Sequence, residues 1–297
     1  MNSIDYVGYG RHPPEFRWPG NSTLALSIVV NFEEGGEHSM SKDGMVEGGI
    51  GEFPPVDIEA EDVGLASAYA YAQRVGIWRV LDTLSRHRVR ATFFAVARAL
   101  ELNPEATEAI VQAGHEICDH GYTWTELFRM SEEQELEEIR KSIEAIEGGL
   151  TGQRPVGFYA REPSERTLKL LSRFENFIYD SDAYDDDIPY RPAGSRLIIV
   201  PYTPDANDFH FLYPMNRFDN SDAFLRYLID TFDTLYEESK ERPKMMSAAF
   251  HVRITGRPGR IKALSSFLDY VKGKQGVWIA RRDEIARFWI ERVLPRL

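Results

Sequence analysis

Two adjacent carboxylates, Glu33 and Glu34, follow the apolar run Leu24 to Phe32 and precede Gly35-Gly36. Two like charges sharing one site resist joint ionisation, so one member of such a pair can keep a proton near neutrality and serve as acid or base. A solvated acidic turn is the plain alternative. Two histidines stand in comparable places: His120 follows Gly114-His115-Glu116-Ile117-Cys118-Asp119, and His251 closes Met246 to Phe250. An imidazole can move a proton or hold a metal at physiological pH, or simply be satisfied by backbone in a core. Three such groups at the ends of three separate apolar runs favour function over coincidence. Beyond His251, Arg253 and Arg257 offer forked donors for a ureido or carboxylate group, with surface arginines on a Gly-Pro turn as the equal alternative. Asn207 and Asp208 can bind paired ring N–H and C=O groups or form an Asx turn. The segment Tyr179 to Asp187 packs five acids, of which Asp180 or Asp182 is placed to orient a histidine.

Chemistry of this kind needs elements that end where these residues stand. LALSIVVNF (24–32) is nearly all apolar between Asn-Ser-Thr and Glu-Glu-Gly-Gly, the pattern of a strand buried on both faces, so the acids lie at its C-terminal mouth. From Val63 to Arg86, Leu65, Tyr69, Ala72, Ile77, Val80, Leu81 and Leu84 recur at helical spacing, and ATFFAV (91–96) follows as a strand. Asn103-Pro104 opens a helix to Ala113, and Ser131 with Gln134 begins an amphipathic helix to Leu150 with a capping box. Strands are predicted at 114–118, 157–160, 177–180, 197–201, 246–250 and 277–280, with helices at 165–173, 221–238 and 283–293. This alternation over 297 residues fits one α/β barrel better than two unrelated domains. Such barrels carry their active sites where the strands end. His38 to Val56 lacks periodicity and is rich in Gly, Ser, Met and Pro, which predicts a long loop near the mouth and a candidate lid.

The formal charge of −12 disfavours nucleic acid and anionic membrane surfaces as partners. No apolar run reaches the ~18 residues of a membrane span. The single Cys118 rules out an internal disulfide framework, and Ile117 beside it suggests a buried thiol. Met1 to Pro19 has neither the basic nor the apolar region of a signal peptide, so a cytoplasmic location is expected.

Taken in order, Asn31-Phe32-Glu33-Glu34-Gly35, Gly114-His115-Glu116-Ile117-Cys118-Asp119-His120-Gly121-Tyr122, Tyr179-Asp180-Ser181-Asp182 and Phe250-His251 resemble the successive motifs of polysaccharide deacetylases of the NodB-homology type. The resemblance spans about residues 24 to 285. It implies an incomplete or distorted (β/α) barrel of about seven strands over 24–297, with 1–23 as an N-terminal extension. In that family the first motif holds a general base followed by a metal ligand, which correspond here to Glu33 and Glu34, each one methylene longer than the family's aspartates. The second motif holds two metal-binding histidines four apart. Only the first has a counterpart, His120, because position 124 is Trp. Tyr159 stands where the family's arginine motif has Arg, and His251 matches the general-acid histidine.

The longer strings NFEEGGEH, GHEICDHGYTW, YDSDAYDDDIPY, PYTPDANDFHF and HVRITGRPGR resemble a narrower group, the allantoinases that descend from polysaccharide deacetylases and their cyclic-imide-hydrolase relatives. That resemblance implies a cofactor-independent hydrolase of a small cyclic amide in purine or pyrimidine ring catabolism, usually a homotetramer. Ring-amide hydrolysis needs an activated water, a donor for the carbonyl oxygen and a proton for the leaving nitrogen. The expected assignments are Glu33 or Glu34 for water activation, His120 for positioning and His251 for the proton. Trp124, Arg253, Arg257, Asn207 and Asp208 are expected to bind substrate. No metal is expected, since Glu34 and His120 alone hold one weakly, and His115 lies five residues before His120 on the opposite strand face. A metal-dependent N-deacetylase of a sugar and a catalytically silent ligand-binding barrel are the competing readings.

Overall fold

Alternation along one strand organises the whole molecule. In the computed structural model, which describes residues 4–45, 47, 60–213 and 217–297, strand β1 (Leu24–Phe32) is buried at every position. Leu24, Leu26, Ile28, Val30 and Phe32 join the apolar layer under the surrounding helices. Ala25 and Val29 face the opposite way, into a second apolar layer shared with Phe94, Cys118, Tyr179, Ile198, Val200 and Met245. A strand covered on both faces has no reason to alternate polar with apolar, which is why this segment reads as one hydrophobic run.

Around β1 stand β2 (Thr92–Ala95), β3 (Glu116–Asp119), β4 (Gly157–Phe158), β5 (Tyr179–Asp180), β6 (Ile198–Ile199) and β7 (Lys244–His251). Seven parallel strands follow the order β6-β5-β4-β3-β2-β1-β7. A further strand, β8 (Val277–Ile279), pairs with Leu24 to Leu26, on the edge of β1 that β2 occupies from Val29 onward. The sheet curls into a barrel left open between β6 and β7.

Along that seam the free edge of β7 is satisfied by Asp187, ahead of β6, and by the loop that follows β6. Its alternate N–H groups at Met245, Ser247, Ala249 and His251 donate to Asp187 O (2.7 Å), Thr203 Oγ1 (3.0 Å), Ala206 O (2.9 Å) and the Asp208 carboxylate (2.9 and 3.0 Å). Covering an edge in this way prevents it from pairing with another chain. It also fixes the loop's last member, Asp208, beside His251.

The capping box at Ser131 and Gln134 is present, and Cys118 is buried. The helix expected over 63–86 is present, α-helical at Val63–Tyr71 and Ile77–Arg86 with a π-turn at Ala72–Gly76 between them. Gly76 packs on Val252 and Gly256, and a Cβ on Gly256 would lie 2.7 Å from the Gly76 Cα. The expected loop also contains a short helix, Met40–Asp43, and its candidate-lid residues 46 and 48–56 lie outside the described residues. At the base, Trp18 from the N-terminal segment is buried, donates from Nε1 to Lys244 O (2.8 Å) and packs edge-on to Phe16. Among the described residues no helix is long and apolar enough to cross a membrane.

Candidate active site

The strand ends deliver one cluster. Glu33 leaves β1, His120 leaves β3 and His251 ends β7. Glu33 Oε1 lies 3.0 Å from His120 Nε2 and 3.6 Å from His251 Nε2, while its Oε2 receives the Arg253 Nη1–H. Glu33 is 2% exposed and His251 5%, so these contacts act in a medium of low polarity. Burial would raise the Glu33 carboxyl, but the Arg253 charge, then His251 and His120, outweigh it and hold Glu33 well below the usual carboxylate range.

Glu34 is arranged differently. Its Oε2 accepts the Glu33 N–H (3.2 Å) and its Oε1 the Arg253 N–H (3.0 Å). Burial pushes it up to about 7; Arg253 pulls it down and the Glu33 charge pushes it further up. One carboxylate is thus ionised and the other half-protonated near neutrality, the splitting expected of a crowded pair. The acidic turn is held by Gln73 of the π-turn, whose Nε2 donates to Glu34 O (2.7 Å). Gly36 lets the chain pass close to the next loop: its O accepts the Trp124 N–H at 2.9 Å, and a Cβ there would stand 3.1 Å from that nitrogen.

Each histidine is oriented from behind. His120 Nδ1 is 2.6 Å from Tyr159 O, and its ring stacks on the Tyr159 ring at 5.1 Å. A carbonyl only accepts, so Nδ1 carries a proton and Nε2 faces Glu33. His251 Nδ1 donates to Asp208 Oδ1 (2.8 Å), and Thr255 Oγ1 donates to Asp208 Oδ2 (2.6 Å). This leaves His251 Nε2 turned toward Glu33. A carboxylate behind an imidazole fixes its tautomer and orientation.

Of the residues singled out from sequence, Glu33, Glu34, His120, His251, Arg253, Trp124 and Asp208 converge. Trp124 lies between two guanidinium groups, Arg253 at 4.7 Å and Arg161 at 3.9 Å from its ring centroid. Asp208 is fully buried with both oxygens engaged by protein, so it orients His251 and does not meet a ring N–H. Asn207 makes the Asx turn: Oδ1 accepts the Phe209 N–H (2.8 Å) and Nδ2 donates to Tyr202 Oη (3.2 Å). Arg257 is not brought in. It follows the helix Val252–Thr255, lies over the Tyr71 ring at 3.9 Å and donates to Ala68 O (3.4 Å). Asp180 and Asp182 orient no histidine, because the Asp182 carboxylate accepts the Ala160 N–H (2.9 and 3.1 Å) and Asp180 Oδ1 accepts the Asp182 N–H (3.2 Å). Tyr69, Phe209, Thr255 and Gln73 were not legible as site residues. Only Thr255 carried a signal, a hydroxyl one helical turn beyond His251.

A buried carboxylate between two imidazoles, at the strand ends of an open (β/α) barrel, is a site for acid–base hydrolysis. Residues 68–170 match the family model described as polysaccharide deacetylase. A Schizosaccharomyces pombe protein whose name places it among the polysaccharide deacetylases is 36% identical over 296 residues, covering 92% of each chain. The chain belongs to the polysaccharide deacetylase family and is an enzyme of that superfamily. Among solved structures, a Pseudomonas aeruginosa protein described as a probable polysaccharide deacetylase superposes with a TM-score of 0.92 at 42% identity, and PuuE allantoinase with 0.91 at 40%, each covering 98% of both chains.

The metal that this family implies does not fit the residues present. Among the described residues no three His, Cys, Asp or Glu side chains are grouped to hold an ion. Both His120 nitrogens face protein oxygens, position 124 presents an indole, and the Arg253 guanidinium already sits on Glu33 and Glu34. A second cation there would meet that fixed charge at close range.

Proposed function

We propose that the chain hydrolyses the C–N bond of a small cyclic amide, with allantoin, hydantoins and cyclic imides such as succinimide as the candidate substrates. One observation carries this reading: the acid–base set of a hydrolase is present around Glu33, with the Arg253 guanidinium already paired to both glutamates. The likeness to PuuE allantoinase over 98% of both chains supports it. Water held by Glu33 attacks the carbonyl carbon while Glu33 takes its proton, His120 fixes the orientation of that carboxylate, and His251 gives a proton to the departing nitrogen. A homotetramer working in the cytoplasm on a small ring, with no nucleic acid or membrane partner, completes the proposal.

The test is turnover of a panel of allantoin, hydantoin, dihydrouracil and succinimide beside N-acetylglucosamine oligomers, before and after exhaustive chelation with metal content measured. Ring opening that survives chelation is expected. The second reading, a metal-dependent N-deacetylase, is favoured by the names of relatives, among them the Helicobacter pylori peptidoglycan deacetylase, 27% identical over 256 residues. Release of acetate from the oligomers, lost with stoichiometric metal, would establish it in place of the first.

A further inference from the structure

The protein uses only part of the Arg253 guanidinium. The side chain is enclosed, its Nη1 serves Glu33 and Glu34, and its Nε and Nη2 have no hydrogen-bond partner. Buried donors left unpaired cost about 1–3 kcal/mol each, and folded proteins keep few of them without a use. Three rings stand around this group, Trp124 with its centroid at 4.7 Å, Tyr69 at 5.6 Å and Phe209 at 5.8 Å. Aromatic faces ease the burial of a cation but supply no oxygen acceptor. Phe209 also packs on His251, with ring centroids 5.2 Å apart. The idle edge of the guanidinium, the Glu33 carboxylate and His251 Nε2 therefore belong to one aromatic-walled cluster.

We propose that Arg253 is a catalytic residue whose Nε–H and Nη2–H edge takes the oxygen of the scissile carbonyl and holds the negative charge that develops there. The assignment rests on the cyclic-amide reading. The oxygen of water bonds to the carbonyl carbon, the carbonyl π pair moves onto the oxygen against Arg253, and the proton of water passes to Glu33. As that pair re-forms the carbonyl, the ring C–N bond breaks. Its electrons stay on nitrogen, which takes a proton from His251, and Glu33 returns its proton to His251. Water is consumed, and a ring-opened carboxylic acid with a free N–H is formed. The fork geometry of arginine suits this role, since two parallel N–H bonds fix both position and charge. The same guanidinium suppresses the basicity of Glu33. Charge gathering on the substrate oxygen draws on that guanidinium, and Glu33 becomes a better base as the bond forms.

R253K separates this role from simple pairing with Glu33, because lysine keeps the positive charge and loses the fork. With a turned-over member of the panel as substrate, kcat in R253K is expected to fall at least ~100-fold with KM changed less than ~10-fold, as for loss of an oxyanion donor. In the slow variant H251N, the infrared carbonyl stretch of bound carbonyl-13C succinimide or hydantoin is expected to move to lower wavenumber, and H251N/R253K to lose that shift. An unshifted carbonyl in H251N, which retains Arg253, overturns the proposal even if R253K fails to fold. So does R253K retaining kcat within ~5-fold. Ring opening with an unshifted carbonyl refutes only the role of Arg253. Failure of every ring to bind or open refutes the cyclic-amide reading and this assignment together.

Discussion

Glu33 and Glu34 are neighbours with the same functional group and opposite titration, which assigns them different work. Glu33 lies within 3.6 Å of both imidazoles, whereas each Glu34 oxygen is occupied by a backbone N–H. Glu33→Gln and His251→Ala are each expected to lower kcat at least ~100-fold in a folded protein, the scale of a positioned acid or base. Turnover within a few-fold of wild type would remove them from the chemistry. Glu34 belongs to the pH profile. Its carboxyl titrates at about 7, and once ionised it adds a second negative charge to Arg253. The kcat/KM of the native enzyme is therefore expected to decline as pH rises through about 7, and Glu34→Gln to flatten that limb. A limb that persists in E34Q would move the titration to another group.

The strands were legible because burial on both faces leaves a mainly apolar run, as in 24–32 and 246–250. Helices with one wet face were read equally well where a cap marked the start, at Asn103 and Ser131. The π-turn at Ala72–Gly76 was not, because it arises from the close packing of Gly76 on Gly256, a contact between distant parts of the chain. The same limit explains the site. His120, His251 and the acid pair announced themselves at strand ends, while the duty of Asp208 follows from the loop that covers the β7 edge, and the displacement of Arg257 from a helix only four residues long. Short strands carry their own constraint. On β4, a Cβ at Gly157 would lie 1.9 Å from the ring of Tyr179, whose hydroxyl donates to Glu116 Oε1 at 2.7 Å. Gly157→Ala should destabilise the protein by about 2 kcal/mol or more, the scale of core overpacking. A denaturation midpoint equal to that of wild type would show that the β4–β5 contact yields freely.

At the scale of the whole molecule, burial sets how stability depends on pH. Glu34, Glu116 and Asp119 are each pushed up to about 7, burial being the first cause in every case. A carboxyl whose folded pKa exceeds its unfolded value near 4 adds stability that is fully present below about pH 4 and is lost progressively as pH rises to about 7. Each shift corresponds to roughly 3–4 kcal/mol. Glu33, held low, works in the opposite sense: its contribution is present above the unfolded value and lost as pH falls below it. Tm is expected to be highest near pH 4–5 and to fall toward pH 7.5, by calorimetry in buffers of matched ionic strength. A Tm that rises steadily from pH 5 to 7.5 would contradict this.

The open seam between β6 and β7 also has a consequence in time. β1 must find β7 from the opposite end of the chain, with Leu24 against Lys244, before the loop ending at Asp208 has an edge to cover. Contacts of such sequence separation form late, since loop closure must precede them. The carboxylate that aims His251 is therefore among the last groups to arrive in refolding. A population with nearly all its helix restored should still be inactive, and activity should return in a slower phase than the far-ultraviolet circular dichroism signal. Simultaneous recovery of both would mean that the seam closes with the rest of the barrel.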